Sequence, residues 1–312
     1  MSLRSLSMGK RGMAYRRSAW YWALVLAGTS LMQGCGPSPP RLVLVEEAEA
    51  GVLAGPFGVS VTPSGEVLIA DTDHGLVKWL DDSGKLLHTI GEGVLSRPLA
   101  VTWAPWDEIL VADFEADRIF RFKPDGQYLG SWGEPGEGPG ELSGPCGMAS
   151  ASDRFYVLEF YNHRVQVFDR HGRSVEIFDG SSSETGKFHY PGGIALEPGG
   201  SLLVADTHRY VLRRFTSDGV ERDVLGRQGT LPGEFDDPMG VTVDAQGRIA
   251  VADSANYRIQ ILDANGAVLA VANGDGRWHG TVHSPTGVAF NREGDLWVAD
   301  PGHDRVEMYR LQ

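Results

Sequence analysis

Residues 249–266 read "IAVADSANYRIQILDANG", and this stretch decides the fold because near-copies of it recur along the chain. Residues 202–219, "LLVADTHRYVLRRFTSDG", and 156–172, "YVLEFYNHRVQVFDRHG", are two of them. Each has an apolar run ending in an acid, a short polar turn, a second apolar run and a glycine. Alternating apolar residues bounded by Gly, Asp and Asn predict strands and hairpins.

Five markers hold this unit in register, three of them in all six copies and two in five. The acid falls at Asp71, Asp113, Glu159, Asp206, Asp253 and Asp300, in steps of 42, 46, 47, 47 and 47 residues. A proline (Pro56, Pro98, Pro145, Pro191, Pro238, Pro285) precedes it by 15 residues in five copies and by 14 in the third. Glycine follows that proline by two residues except at Ala100, and another glycine lies five residues before it, from Gly51 to Gly280. A further glycine closes the hairpin 13 residues after the acid, at Gly84, Gly126, Gly172, Gly219 and Gly266. Such glycines supply a positive φ at little cost.

Four short strands per unit, repeated six times at this period, predict an all-β, six-bladed β-propeller of four-stranded antiparallel blades. The last unit ends at Gln312, before its fourth strand. The segment "RLVLVEEA" (41–48) has strand character and is expected to complete that last blade, closing the ring and removing its edges. The unit resembles the NHL repeat, whose name "NHR" (162–164) almost spells, and the resemblance covers residues 51–312.

The residues before the repeats carry a different message. Arg16 and Arg17 precede an apolar run, Ala19 to Met32, too short to span a bilayer, which needs about 20 apolar residues. "LMQGC" (31–35) resembles a bacterial lipobox, so residues 1–35 are expected to be a lipoprotein-type signal peptide with Cys35 lipidated. "GPSPP" (36–40) then forms a stiff tether, and residues 41–312 the propeller. Gly36 stands where an aspartate would signal inner-membrane retention, so the exported, lipid-anchored protein is expected at the outer membrane of the bacterial envelope.

Composition narrows the function. Beyond residue 35 the chain has 23 basic and 41 acidic residues, a net of −18, which repels phosphate backbones and argues against nucleic acid. Only Cys146 remains after Cys35, so neither an internal disulfide nor a cysteine-based zinc site is available. The expected partner is an envelope protein, a peptide or a small ligand, bound by a monomer. No cofactor is predicted, and bound zinc or calcium stays open.

The repeated acid is expected to accept backbone N–H bonds where the second strand turns into the third. Five residues later four units carry Arg118, Arg164, Arg258 and Arg305, either as structural Asp–Arg partners or as a guanidinium ring binding an anion at the pore. In peptidyl-amidoglycolate lyases, which resemble NHL propellers, arginines at this place help hold substrate. Their zinc histidines directly follow the repeat proline. Here those positions are Phe57, Leu99, Cys146, Gly192, Met239 and Thr286, so that chemistry is not expected. The remaining metal candidates are His74, His208 and His303. Aromatic and imidazole side chains on the same loops, Phe160, Tyr161, His163, Tyr210 and Tyr257, suit ligand or partner binding. A metal-dependent lyase or hydrolase at the pore mouth is the alternative function.

The third unit departs from the others by one missing residue between proline and acid, by Leu158 for Ala and by Glu159 for Asp. A shifted second strand, with the longer Glu side chain compensating, is the expected explanation.

Overall fold

The computed structural model describes residues 42–273 and 282–312, and the segments expected to be a signal peptide (1–35, with Cys35) and a tether (36–40) lie outside them, as do Arg41 and Gly280. Six four-stranded antiparallel sheets follow one another around a ring, here called blades 1 to 6. Blades 1 to 5 are consecutive in the chain, spanning 56–90, 98–132, 145–178, 193–225 and 238–273. Blade 6 takes three strands from the C-terminus (Val288–Phe290, Leu296–Asp300 and Arg305–Leu311) and its outer strand, Leu42–Glu47, from the start of the described chain. Leu42 pairs with Leu311 and Glu47 with Glu307, closing the ring as the sequence predicts.

The second strand of each blade is covered on both faces by neighbouring blades, which is why it reads as an unbroken apolar run rather than an alternation. Every residue of Val67–Asp71, Leu202–Asp206 and Ile249–Asp253 is buried. Core side chains interleave from blade to blade. Leu68 and Trp79 of blade 1 meet Val101 and Phe120 of blade 2. Trp297 and Val306 of blade 6 meet Val67 and Ile69 of blade 1 across the closing seam.

At Gly58, Gly193, Gly240 and Gly287 the glycine two residues after the proline has a steric cause. A Cβ on Gly240 would stand 1.9 Å from the Thr286 carbonyl oxygen of the next blade, and one on Gly287 would stand 2.3 Å from that of Phe57. The innermost strands approach backbone to backbone, and a side chain there would force the blades apart. The hairpin glycines fall at positive φ, as at Gly84 (84°) and Gly266 (86°).

Blade 3 corrects one expectation. Pro145 still pairs with Glu159 and Glu159 with Arg164, the register seen for Pro238, Asp253 and Arg258. The missing residue lies instead in the turn at the far end of the blade. There Ala151 N donates to Arg154 O at 2.9 Å, where blade 5 closes a turn one residue longer from Asp244 N to Arg248 O. The second strand is therefore not shifted, and Leu158 fills core space beside Ile194 and Val204 of blade 4.

Candidate functional site

All six repeat acids are fully buried. Each receives backbone N–H donors from the loop that leads into its own blade. Ala54 donates to Asp71 at 2.8 Å, Ser143 to Glu159 at 3.0 Å, His189 to Asp206 at 2.7 Å and Asp236 to Asp253 at 2.7 Å. Asp113 accepts from Ser96 and Arg97, and Asp300 from His283 and Ser284. The acids hold the fold's inner loops and do not face a substrate.

The arginines belong to the same networks. Arg258 Nε lies 2.6 Å from Asp253, while its Nη atoms donate to the carbonyls of Thr230 (2.6 Å), Leu231 (3.0 Å) and Glu234 (2.8 Å). Asn256 and Gln260 complete the cage. Blade 3 repeats it with Glu159, Asn162, Arg164 and Gln166, which hold the "GEPGEGPGEL" loop by the carbonyls of Gly136, Glu137, Gly138 and Glu141. Glu159 thus does the work of Asp253. Arg305 reaches Glu307 at 3.0 Å, Asp300 at 3.8 Å and Glu47 of the closing strand at 3.7 Å. Arg118 departs from the set, donating to Gly133 O at 3.0 Å.

The anion-binding ring of guanidiniums is therefore not assembled. Each arginine opens the third strand of its blade, two strands outward from the pore; Arg118, Arg164 and Arg258 turn into their own loops, and Arg305 turns to the carboxylates of blade 6. Where this position is apolar, at Leu76 and Val211, the cation stands two residues further on. Lys78 lies 3.4 Å from Asp71, and Arg213, fully buried, lies 3.0 Å from Asp206 and 2.6 Å from Glu221. Neither cation is among the residues expected from the sequence. The signal was available, because a cation appears at the later position in the two units that lack the earlier one.

The pore mouth on this loop face is a cavity of about 450 Å³. Its floor is made by the residues that follow the repeat prolines, Phe57, Leu99, Cys146, Gly192 and Met239. Burial, with the Glu159 carboxylate nearby, pushes the Cys146 thiol far above its usual range, so it lines the floor as an apolar group. The wall depends on the residue just after each acid. In blades 1, 4 and 5 this is Thr72, Thr207 or Ser254, whose hydroxyl donates to the proline carbonyl of the next blade at 2.5–2.8 Å. Blades 2 and 3 put Phe114 and Phe160 there, and these rings form an aromatic wall.

Charge enters the mouth from three exposed side chains, Asp73, Arg97 and Asp304. Arg97 is the only cation directly before a repeat proline, so it too was legible. A larger cavity, about 570 Å³, opens on the opposite face among the far turns. Its carboxylate Asp244 is already paired with Arg248 at 2.5 Å. The loop-face mouth combines an apolar floor and an aromatic wall with three charges that have no ion-pair partner among the described residues, the usual make-up of a ligand site.

Of the aromatic candidates only Phe160 lines the mouth. Tyr161, 56% exposed, packs on Phe114 and Phe160 at its rim. His163 lies against Tyr190 at 4.4 Å between ring centroids and accepts the Tyr190 N–H at Nδ1. Burial, then Lys187 and the imidazoles of His189 and His208, hold His163 below the usual histidine range. Tyr257 is on blade 5 beside His283, and Tyr210 is on blade 4, neither of them in the mouth. His74 and His303 each bond the acid of their own blade, at 2.9 and 2.8 Å, and His208 joins the His189–Tyr190 group. The three do not converge. Among the described residues no group of three His, Cys, Asp or Glu is placed to hold a metal ion.

The NHL repeat family model matches residues 235–262, the span holding the Asp253–Arg258 cage. Among solved structures the chain is similar to a streptogramin B lyase, at 16% identity and a TM-score of 0.60 over 88% of this chain and 98% of that one. It is also similar to a gluconolactonase from Xanthomonas campestris, at 14% identity and a TM-score of 0.65 over 88% and 95%. A virginiamycin B lyase from Staphylococcus aureus matches at 16% identity and a TM-score of 0.56, over 88% of each chain. At these identities the likeness shows the fold alone.

Proposed function

We propose that this six-bladed propeller with an NHL repeat is a ligand-binding module whose loop-face mouth takes a ligand with an apolar body and an anionic group. The observation that carries the reading is the mouth itself, where an apolar floor and two phenylalanines lie beside an arginine whose guanidinium has no side-chain partner among the described residues. The floor offers apolar contact to the ligand's body, and the exposed Arg97 guanidinium orients its anionic group. The lyase or hydrolase alternative draws on the names of similar propellers. Stoichiometric zinc or calcium in protein purified without chelator would favour it.

Anilinonaphthalene sulfonate, an apolar body with one anionic group, is a direct probe. It is expected to bind the folded protein at one saturable site with enhanced fluorescence. Arg97→Gln and Phe160→Ala are each expected to weaken binding about tenfold; the first should leave thermal stability unchanged, and the second, which removes a ring packed on Phe114, Tyr161 and Tyr190, should also lower it. Binding indifferent to both substitutions would place the site elsewhere.

The export reading rests on the sequence. We propose that Cys35 carries the lipid and that the mouth faces the aqueous compartment. Six residues separate Cys35 from Leu42, a reach of about 25 Å when fully extended. Leu42 lies at the far-turn end of blade 6, because it pairs with Leu311 while Glu47 reaches the loop face opposite Glu307. The chain therefore enters the ring at Leu42 on the face opposite the mouth. Cys35→Ser is expected to abolish palmitate incorporation and release the protein from membranes. Retention of label by that variant would refute the anchor.

A further inference from the structure

The mouth is electrically two-sided. Asp73 and Asp304 come from blades 1 and 6 and flank one residue of the closing seam. Asp304 Oδ1 accepts the Gly55 N–H at 2.8 Å. Asp73 Oδ2 lies 2.8 Å from where a Cβ on Gly55 would stand, so the glycine is what lets the two carboxylates share this corner. Neither has a cation partner among the described residues. Arg97 stands at the seam of blades 1 and 2, fixed through its backbone N–H to Asp113, and its guanidinium has no carboxylate partner among the described residues. Three exposed charges of both signs therefore line one cavity without neutralising each other, and between them lies the apolar floor of Phe57, Leu99 and Met239.

A purely anionic ligand would meet two carboxylates on one side, and a purely cationic one would meet Arg97 on the other. The complementary ligand carries both charges. We propose that the mouth recognises a zwitterion with an apolar side chain, an amino acid or short peptide. Its ammonium pairs with Asp73 and Asp304, its carboxylate with Arg97, and its side chain rests on the floor beside Phe160. The cavity, at about 450 Å³, lies in the range of small-molecule sites. Exposed charges of this kind set specificity more than affinity. This inference rests on the mouth being the ligand site.

Isothermal titration of the detergent-purified full-length protein at low salt tests it. The probes are phenylalanine and leucyl-phenylalanine, each also N-acetylated, C-amidated and blocked at both ends. At least one zwitterion is expected to bind, and blocking either end is expected to weaken it tenfold or more. Arg97→Gln should erase the penalty for amidation alone. Asp304→Asn, which keeps an acceptor for Gly55 and suits a positive-φ position, should reduce the penalty for acetylation alone. The inference is overturned if the doubly blocked compounds bind as tightly as the zwitterions. It is also overturned if the substitutions leave both penalties intact, or if no probe binds. In that last case retained binding of anilinonaphthalene sulfonate would leave the mouth standing as the ligand site, and its loss would remove both readings.

Discussion

Deletion of residues 42–48 will lower the melting temperature by about 10 °C or more, or prevent folding. The segment supplies the whole outer strand of blade 6 and places Leu42 and Leu44 against the core shared by blades 5 and 6. Burying a leucine contributes roughly 1.5–3 kcal/mol, and each kcal/mol shifts the melting temperature of a domain this size by about 2–4 °C. The deletion also uncovers the N–H and C=O groups of the 305–311 strand, a new edge prone to association. Arg305 loses Glu47 at the same time. Calorimetry of the deleted chain, with a synthetic 41–49 peptide added in trans, checks both halves of the expectation. The peptide should restore part of the lost stability. An unchanged melting temperature would mean that the ring does not depend on this strand.

Arg258→Met will cost about 3–5 kcal/mol, because it leaves the fully buried Asp253 without its cation and strips the guanidinium from three loop carbonyls. Arg118→Met occupies the same place in the repeat and should cost only about 1 kcal/mol, since Arg118 is half-buried and donates to one loop carbonyl and the Ser131 hydroxyl. Denaturant unfolding of the two variants makes the comparison. Equal losses would contradict the network account. A stable Arg258→Met variant that had lost ligand would return the arginines to the binding site.

The repeat was legible because its constraints are local or steric. Proline, glycine and acid recur in register since every blade must begin, approach its neighbour and anchor its loop in the same way. The closing strand could be read because a last blade with three strands leaves an edge. What the sequence hid was radial position. Nothing in the spacing of Arg118, Arg164, Arg258 and Arg305 tells that the third strand stands away from the pore and that its first side chain turns into a loop. The mouth residues were partly hidden for the opposite reason. Asp73 and Asp304 sit two and four residues after their acids, and only ring closure brings blades 1 and 6 together at Gly55. Phe114 and Phe160 were visible as aromatics, but their role follows from the Thr and Ser hydroxyls they replace. The expected strand shift around Glu159 failed because a shorter far turn absorbs the missing residue.

A crystal structure of the protein soaked with anilinonaphthalene sulfonate tests the central claim most directly. Density on Phe57, Met239 and Phe160, with the sulfonate at Arg97, is the predicted result. Probe density in the opposite mouth, or against the blade arginines with the loop-face mouth left unfilled, would contradict it.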